Sequence, residues 1–138
     1  MFIMSRNRYL LPLGVFLLVM LPVFRNALGV TWQPLKDQVE FQCDNSNTVP
    51  GYSVYVVGNH PALGNWDPAK AVKLDPKPAP NNSTWTGKVL FPGTDDGKDV
   101  EWKCIVRNEN LPTDVQKWLN NPNNIVKLVF ATKSVGTF

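Results

Sequence analysis

Tyr55-Val-Val-Gly-Asn-His-Pro-Ala-Leu-Gly-Asn-Trp-Asp-Pro68 is the stretch on which the reading of this chain turns. The run Tyr52 to Val57 alternates as a strand does, with Val54 and Val56 on one face and Tyr55 and Val57 on the other. It stops at Gly58. A loop rich in Gly, Asn and Pro follows and carries one large aromatic, Trp66, between Asn65 and Asp67-Pro68. An indole flanked by turn-forming polar residues is poorly placed for a core. Trp is normally well buried, so an exposed one calls for a partner.

The same pattern of short strand and turn continues to both sides. Val39 to Cys43 alternates, and Asp44 to Gly51 is a polar turn stretch. Ala69 to Leu74 is a candidate short strand with Val72 and Leu74 inward. Asp75 to Ser83, with three prolines and two asparagines, reads as a loop. Thr84 to Phe91 is expected as a strand with Val89 and Phe91 inward, and Pro92 to Lys98 as a turn. Val100 to Arg107 alternates clearly. Val115 to Leu119 is either a short strand or part of the preceding loop, Asn120 to Asn124 is a sharp polar turn, and Ile125 to Ala131 is expected as the last strand. About six to eight short strands with almost no helical periodicity predict an all-β domain, a β-sandwich or open barrel.

At 138 residues the chain is long enough for one domain with one core. Its beginning reads differently from the rest. Arg6 and Arg8 precede an uncharged, mostly apolar run from Leu10 to Phe24, and Ala27-Leu28-Gly29 offers small residues at the right places for cleavage before Val30. That is the layout of a secretory signal peptide over residues 1–29, with the domain over 30–138. The apolar run is short for a membrane span and is interrupted by Pro12 and Pro22, so no stable membrane association is expected after cleavage; an uncleaved anchor is the alternative. Removing residues 1–29 takes away Arg6, Arg8 and Arg25. Lys plus Arg then falls from 14 to 11, against 11 Asp plus Glu. The remainder is formally neutral, which argues against a nucleic-acid partner. The expected location is outside the cytoplasm, in the periplasm or the medium.

Cys43 and Cys104 in an exported chain lead to the expectation of one disulfide. Strand parity agrees. Cys43 shares a face with Val39 and Phe41, and Cys104 with Trp102 and Val106, so both thiols point inward. Two reduced, buried cysteines are the alternative.

Enzymatic readings find little to stand on. His60 is the single histidine and sits in a loop beside Pro61, where the simplest expectation is a solvated turn residue. Without it no Ser-His-Asp or Cys-His set exists, and no histidine cluster can hold a metal. Asp67, Asp95, Asp96, Asp99 and Glu101 are candidates for a carboxylate pair, yet all but Glu101 fall in turns that favour Asp for backbone reasons. No cofactor is called for. The aromatics say more. Trp66 is in a loop, Trp85 starts a strand after a polar loop, Trp118 precedes the Asn-rich turn and Tyr55 faces outward; Trp102 lies on an apolar face and is expected in the core. Indole and phenol rings bury the C–H faces of sugars, while Asn and Lys bond their hydroxyls. The same aromatics could instead form a protein-binding patch or close over one another.

Four blocks then converge: Val56-Val-Gly-Asn with Leu63-Gly-Asn-Trp-Asp-Pro68; Trp85; Glu101-Trp-Lys-Cys-Ile105; and Trp118 with Asn121-Pro-Asn-Asn124. In order and spacing, over roughly residues 36–138, they resemble the family 20 carbohydrate-binding modules, the starch-binding domains attached to amylases and glucoamylases. The wording is most similar to the C-terminal domain of bacterial maltotetraose-forming amylases. The resemblance implies an antiparallel β-sandwich of Greek-key, immunoglobulin-like type. It implies a first sugar site of Trp66 and Trp118 with Lys103 and Asn123 bonding glucose hydroxyls, and a second, more adaptable site with Tyr55 and Trp85. Two departures stand out: Leu119 replaces an acidic residue found in some members, and the loop before Trp85 lacks the family's further tyrosine. The implied ligands are starch, amylose and amylopectin, maltooligosaccharides and cyclodextrins. A leader followed by this module gives the expectation of a secreted, non-catalytic binder, with an amylase acting in trans as a conceivable partner. The rivals are a remnant or accessory subunit of an amylase, and a protein-interaction domain on the same scaffold.

Overall fold

The computed structural model describes residues 37–130 and 132–138. The leader expected over residues 1–29 lies outside the described residues. Among the described residues nine strands follow in order: β1 (Asp37–Asp44), β2 (Tyr52–Gly58), β3 (Val72–Lys73), β4 (Asp75–Pro76), β5 (Trp85–Phe91), β6 (Asp99–Asn108), β7 (Val115–Trp118), β8 (Asn124–Lys127) and β9 (Thr132–Thr137). They form two sheets. One has the order β4-β5-β1-β9; the other runs β3-β2-β6-β7, with β8 also on β6. The chain passes from one sheet to the other four times, so the two sheets are interleaved along the sequence.

Alternation in the sequence explains where the core sits. β1 buries Asp37, Val39, Phe41 and Cys43 and turns Gln38, Glu40 and Gln42 outward. Its register pairs Val39 with Val89 and Cys43 with Trp85, which sets the apolar positions of both strands on one face. From the other sheet come Val54, Val56, Trp102, Cys104 and Val106, all in the same cluster. Phe41 meets Trp102 edge-on at 4.9 Å between ring centroids. The buried indole is satisfied, since Trp102 Nε1 donates to Ser134 Oγ at 3.0 Å. Cys43 and Cys104 are joined across the two sheets, which settles the alternative of two reduced thiols. In the chain-entropy model a loop of this length contributes about 4 kcal/mol.

The strands depart from expectation in three places. The segment Ala69 to Leu74 is a strand only at Val72–Lys73, because a 3-10 turn, Pro68–Lys70, takes up its first half. The loop Asp75 to Ser83 opens with a two-residue strand, β4, against Trp85 and Thr86. The expected last strand, Ile125 to Ala131, ends as β8 at Lys127, and a further strand, β9, follows. β9 lies parallel to β1, the one parallel pairing among the described residues. Its sequence, Thr-Lys-Ser-Val-Gly-Thr, is polar and short of β-branched apolar residues, so the periodic signal is weak. Gly136 permits the docking: a Cβ there would stand 3.1 Å from Cys104 Sγ and 2.8 Å from Asn124 Nδ2.

Candidate functional site

The outer face of the second sheet carries its own apolar cluster. β6 turns Lys103, Ile105 and Arg107 to this side, and Cys104, Trp102 and Val106 to the core. On one flank Val57 stands opposite Lys103 and Tyr55 opposite Ile105. On the other flank Trp118 stands opposite Ile105. Tyr55, Val57 and Ile105 are buried although they face away from the core, and Trp66, Ala71 and Val115 pack against them. Trp66 and Trp118 therefore flank the same short piece of β6, Lys103 to Ile105. Trp118 is 41% exposed. Trp66, expected to be free of the body of the protein, is half-buried on this cluster.

The loop after β2 explains how Trp66 arrives there. Gly64, Asn65 and Trp66 have φ of 80°, 52° and 64°, three successive residues in the left-handed region. Gly tolerates this, Asn does so at small cost, and a bulky indole is a true outlier. A Cβ on Gly64 would also sit 2.8 Å from the backbone of Lys70, so the loop closes tightly on itself. Asp67 then starts the next turn, its Oδ1 accepting from the Ala69 N–H at 2.9 Å. That is the backbone role expected of this aspartate.

Polar groups at the other edge are held in place by residues that the sequence alone did not assign to the sugar site. β7 and β8 lie end to end along one edge of β6, pairing with its second and first halves. The turn between them carries Asn121 and Asn123. Lys103, 9% exposed, runs under this turn and donates from Nζ to Asn121 Oδ1 at 2.5 Å. Asn123 Nδ2 donates to Glu101 Oε2 at 2.6 Å, and the Glu101 N–H donates to Asn59 Oδ1 at 3.0 Å. Asn121 and Glu101 thus belong to the site. Their signal in the sequence was proximity to Lys103 and Asn123, which is weak where asparagine is common. Leu119, in place of an acidic residue, is a core side chain, and its N–H donates to the Cys104 carbonyl.

At the far end of the same face, the Arg107 guanidinium lies over the Tyr55 ring at 3.9 Å to the centroid. Its Nε and Nη1 are buried with no partner among the described residues. Glu109 accepts from the Ser53 hydroxyl and pairs with Lys73; the hydroxyl bond first, then Lys73, holds its carboxyl below the usual range. The Tyr52 hydroxyl donates to Asp114, which pushes the phenol's pKa up.

Tyr55 is in the outer-face cluster and Trp85 in the main core, 4% and 7% exposed. Trp85 follows a polar loop, yet it starts its strand on the inward side. Its partner in the ladder is Cys43, an inward position, and its Nε1 donates to the Ser46 carbonyl at 3.2 Å. His60 is not a solvated turn residue. Its side chain is 14% exposed, Nε2 lies 3.1 Å from Asp95 Oδ2, and the ring packs edge-on against Phe91. No group of three or more His, Cys, Asp or Glu residues among the described residues could hold a metal.

Comparison with known proteins gives this face a context. The family model for the starch binding domain, CBM_20, matches residues 36–137. The chain is 46% identical over 101 residues to a glucan 1,4-alpha-maltotetraohydrolase of Roseateles saccharophilus, covering 72% of this chain and 17% of that protein. It is 41% identical over 102 residues to a cyclomaltodextrin glucanotransferase of Klebsiella oxytoca, covering 74% and 15%. It thus spans a small part of the length of these relatives. Among solved structures, the family 20 CBM of the maltotetraose-forming amylase from Pseudomonas saccharophila STB07 superposes with a TM-score of 0.66 at 44% identity, covering 73% of this chain and 99% of that one. The glucoamylase of Hypocrea jecorina does so with 0.62 at 30% identity, over 77% and 18%. With its two-sheet sandwich and a family match over nearly all the described residues, the chain belongs to the starch-binding domains, the family 20 carbohydrate-binding modules.

Proposed function

We propose that this chain is an exported, non-catalytic module that binds starch and related α-1,4-glucans through the outer face of β2, β6 and β7. The observation that carries the reading is the placement of Trp66 and Trp118 on either side of Ile105, with Lys103 beside them. Two indoles on one face offer apolar surface for the C–H faces of successive glucose rings. Lys103 and the amides of Asn121 and Asn123 supply donors and acceptors for the hydroxyls at the rim. The ligand class is amylose, amylopectin, maltooligosaccharides and cyclodextrins. Export is supported by the charge and apolar pattern of residues 1–29 and by the cystine, which persists in oxidising compartments. An amylase acting in trans would be the natural partner of such a module.

A second sugar contact through Tyr55 and Trp85 is not assigned, because both rings are buried and lie in different clusters. One cyclodextrin per chain is expected; two equivalent sites by calorimetric titration would restore the second. The first test is sedimentation with granular starch, cellulose as control and β-cyclodextrin as competitor. Depletion by starch alone, reversed by the cyclodextrin, is the expected result. Trp118→Ala should weaken binding by about 2 kcal/mol with little loss of stability, as a truncated hot-spot aromatic does. Unchanged starch affinity in folded Trp118→Ala would sink the reading, and glucan-independent capture of a protein by this face would favour the interaction-domain alternative.

A further inference from the structure

We propose that His60 is a positioning residue for Trp66: its imidazole caps the loop that carries the indole and pins that loop to the turn between β5 and β6. The proposal rests on the glucan-binding reading for its consequence, and on the loop's own bonds for its geometry.

His60 makes bonds from both ends of its ring and from its backbone. Nδ1 accepts from the Ala62 N–H at 3.0 Å. The His60 carbonyl accepts from the N–H groups of Leu63 at 2.8 Å and Asn65 at 3.2 Å. Three of the next five residues thus hang from this one, and Asn65 adjoins Trp66. At the other end of the ring, Nε2 faces Asp95 Oδ2 at 3.1 Å. Asp95 is itself fixed, its N–H donating to the Pro92 carbonyl and its Oδ1 accepting from Lys98 Nζ. Phe91 packs against the ring from β5, with 4.8 Å between centroids. The loop therefore has an anchor on the first sheet although its indole serves the second.

The partners dictate the tautomer. A backbone N–H can only donate, so Nδ1 must be bare; a carboxylate can only accept, so the proton sits on Nε2. Asp95 and Lys98 are the charged groups lining the groove beside the ring, with Pro61, Ala62, Leu90 and Pro92 making up the rest. Loss of the Nδ1 acceptor would release the first turn of the loop. With the turn released, the left-handed path through Gly64, Asn65 and Trp66 loses its support, and the indole leaves the Tyr55–Val57–Ile105 cluster.

The test compares the full chain with His60→Asn, which keeps a capping acceptor without the ring, and His60→Ala, which keeps neither. At neutral pH, β-cyclodextrin should bind His60→Ala about fivefold more weakly than wild type, the equivalent of one lost cap, and His60→Asn within about twofold. Equal binding by folded His60→Ala, or the same loss in folded His60→Asn, would overturn the proposal. Ligand-free NMR separates this from failure of the glucan reading. The ring proton should be found on Nε2, and the Trp66 indole N–H resonance should move in His60→Ala but stay near its wild-type position in His60→Asn. A ring proton on Nδ1, or an indole resonance indifferent to His60→Ala, refutes the positioning role even if no glucan binds.

Discussion

β1 and β2 are both internal strands of similar length, yet they are buried in different ways. Along β1, burial alternates residue by residue, with Glu40 and Gln42 left partly open on the outer side. Along β2, every residue after Tyr52 is buried. The first pattern belongs to a sheet with one wet face; the second belongs to a sheet covered on both faces. The outer face of the first sheet is polar along β1, with Glu40 paired to Lys133. The outer face of the second is roofed by the loop of Trp66 and by the stems of Lys103 and Arg107. A sandwich needs only one buried face per sheet to fold. A second apolar cluster on an outer face is more than a sandwich requires, and it lies on the face proposed here to bind glucan.

This comparison can be broken at the largest scale through the bond that ties the sheets together. Replacing Cys43 and Cys104 together with alanine should lower stability by about 4 kcal/mol, read from denaturant unfolding. The glucan site should survive in whatever fraction stays folded, because neither thiol faces it. An intact midpoint after both replacements would mean that the cystine is incidental to stability.

The contrast between faces is sharpened by Phe41→Ala and Ile105→Ala. Phe41, between the sheets, should cost about 3–5 kcal/mol, and Ile105, on the outer face, about 2–4 kcal/mol. Cyclodextrin affinity separates them. Phe41→Ala should leave it within about twofold at a temperature where the protein is folded, since distant sites act independently. Ile105→Ala opens the cluster that Trp66 packs on and removes the residue that Trp118 stands opposite, and should weaken binding. If both variants bind alike, the outer cluster is packing and nothing more.

The smallest effect is expected at the edge of the roofed face. The Ser53 hydroxyl, then Lys73, lowers the Glu109 pKa in the folded state. A depressed folded value stabilises the protein above the carboxylate's ordinary range, and the stabilisation is lost as pH falls through the depressed value. Glu109→Gln should therefore flatten the acid limb of the stability–pH curve slightly. Glu109 and Lys73 are both well exposed, so the change is small. A steeper acid limb in the variant would contradict the assignment.

The sequence made the inward faces of β1, β2, β5 and β6 legible, because alternation survives wherever one side of a strand meets a core. The cystine followed from the same parity, and the four aromatic and polar blocks placed the chain in its family. By itself, then, the sequence determined the class of fold, an expected cystine with reduced thiols as its alternative, and the residues Trp66, Lys103, Trp118 and Asn123 as candidates. Tertiary structure decided what periodicity cannot express. β9 is polar and is held by parallel pairing with a strand some 90 residues earlier, a non-local contact with no local signal. Trp85 is buried because its ladder partner is Cys43, and Tyr55 because Arg107 covers an outward face. His60 acquires its role from Asp95, 35 residues away. In each case the deciding contact lies across the fold, and a strand's alternation names its two faces without saying what will come to cover them.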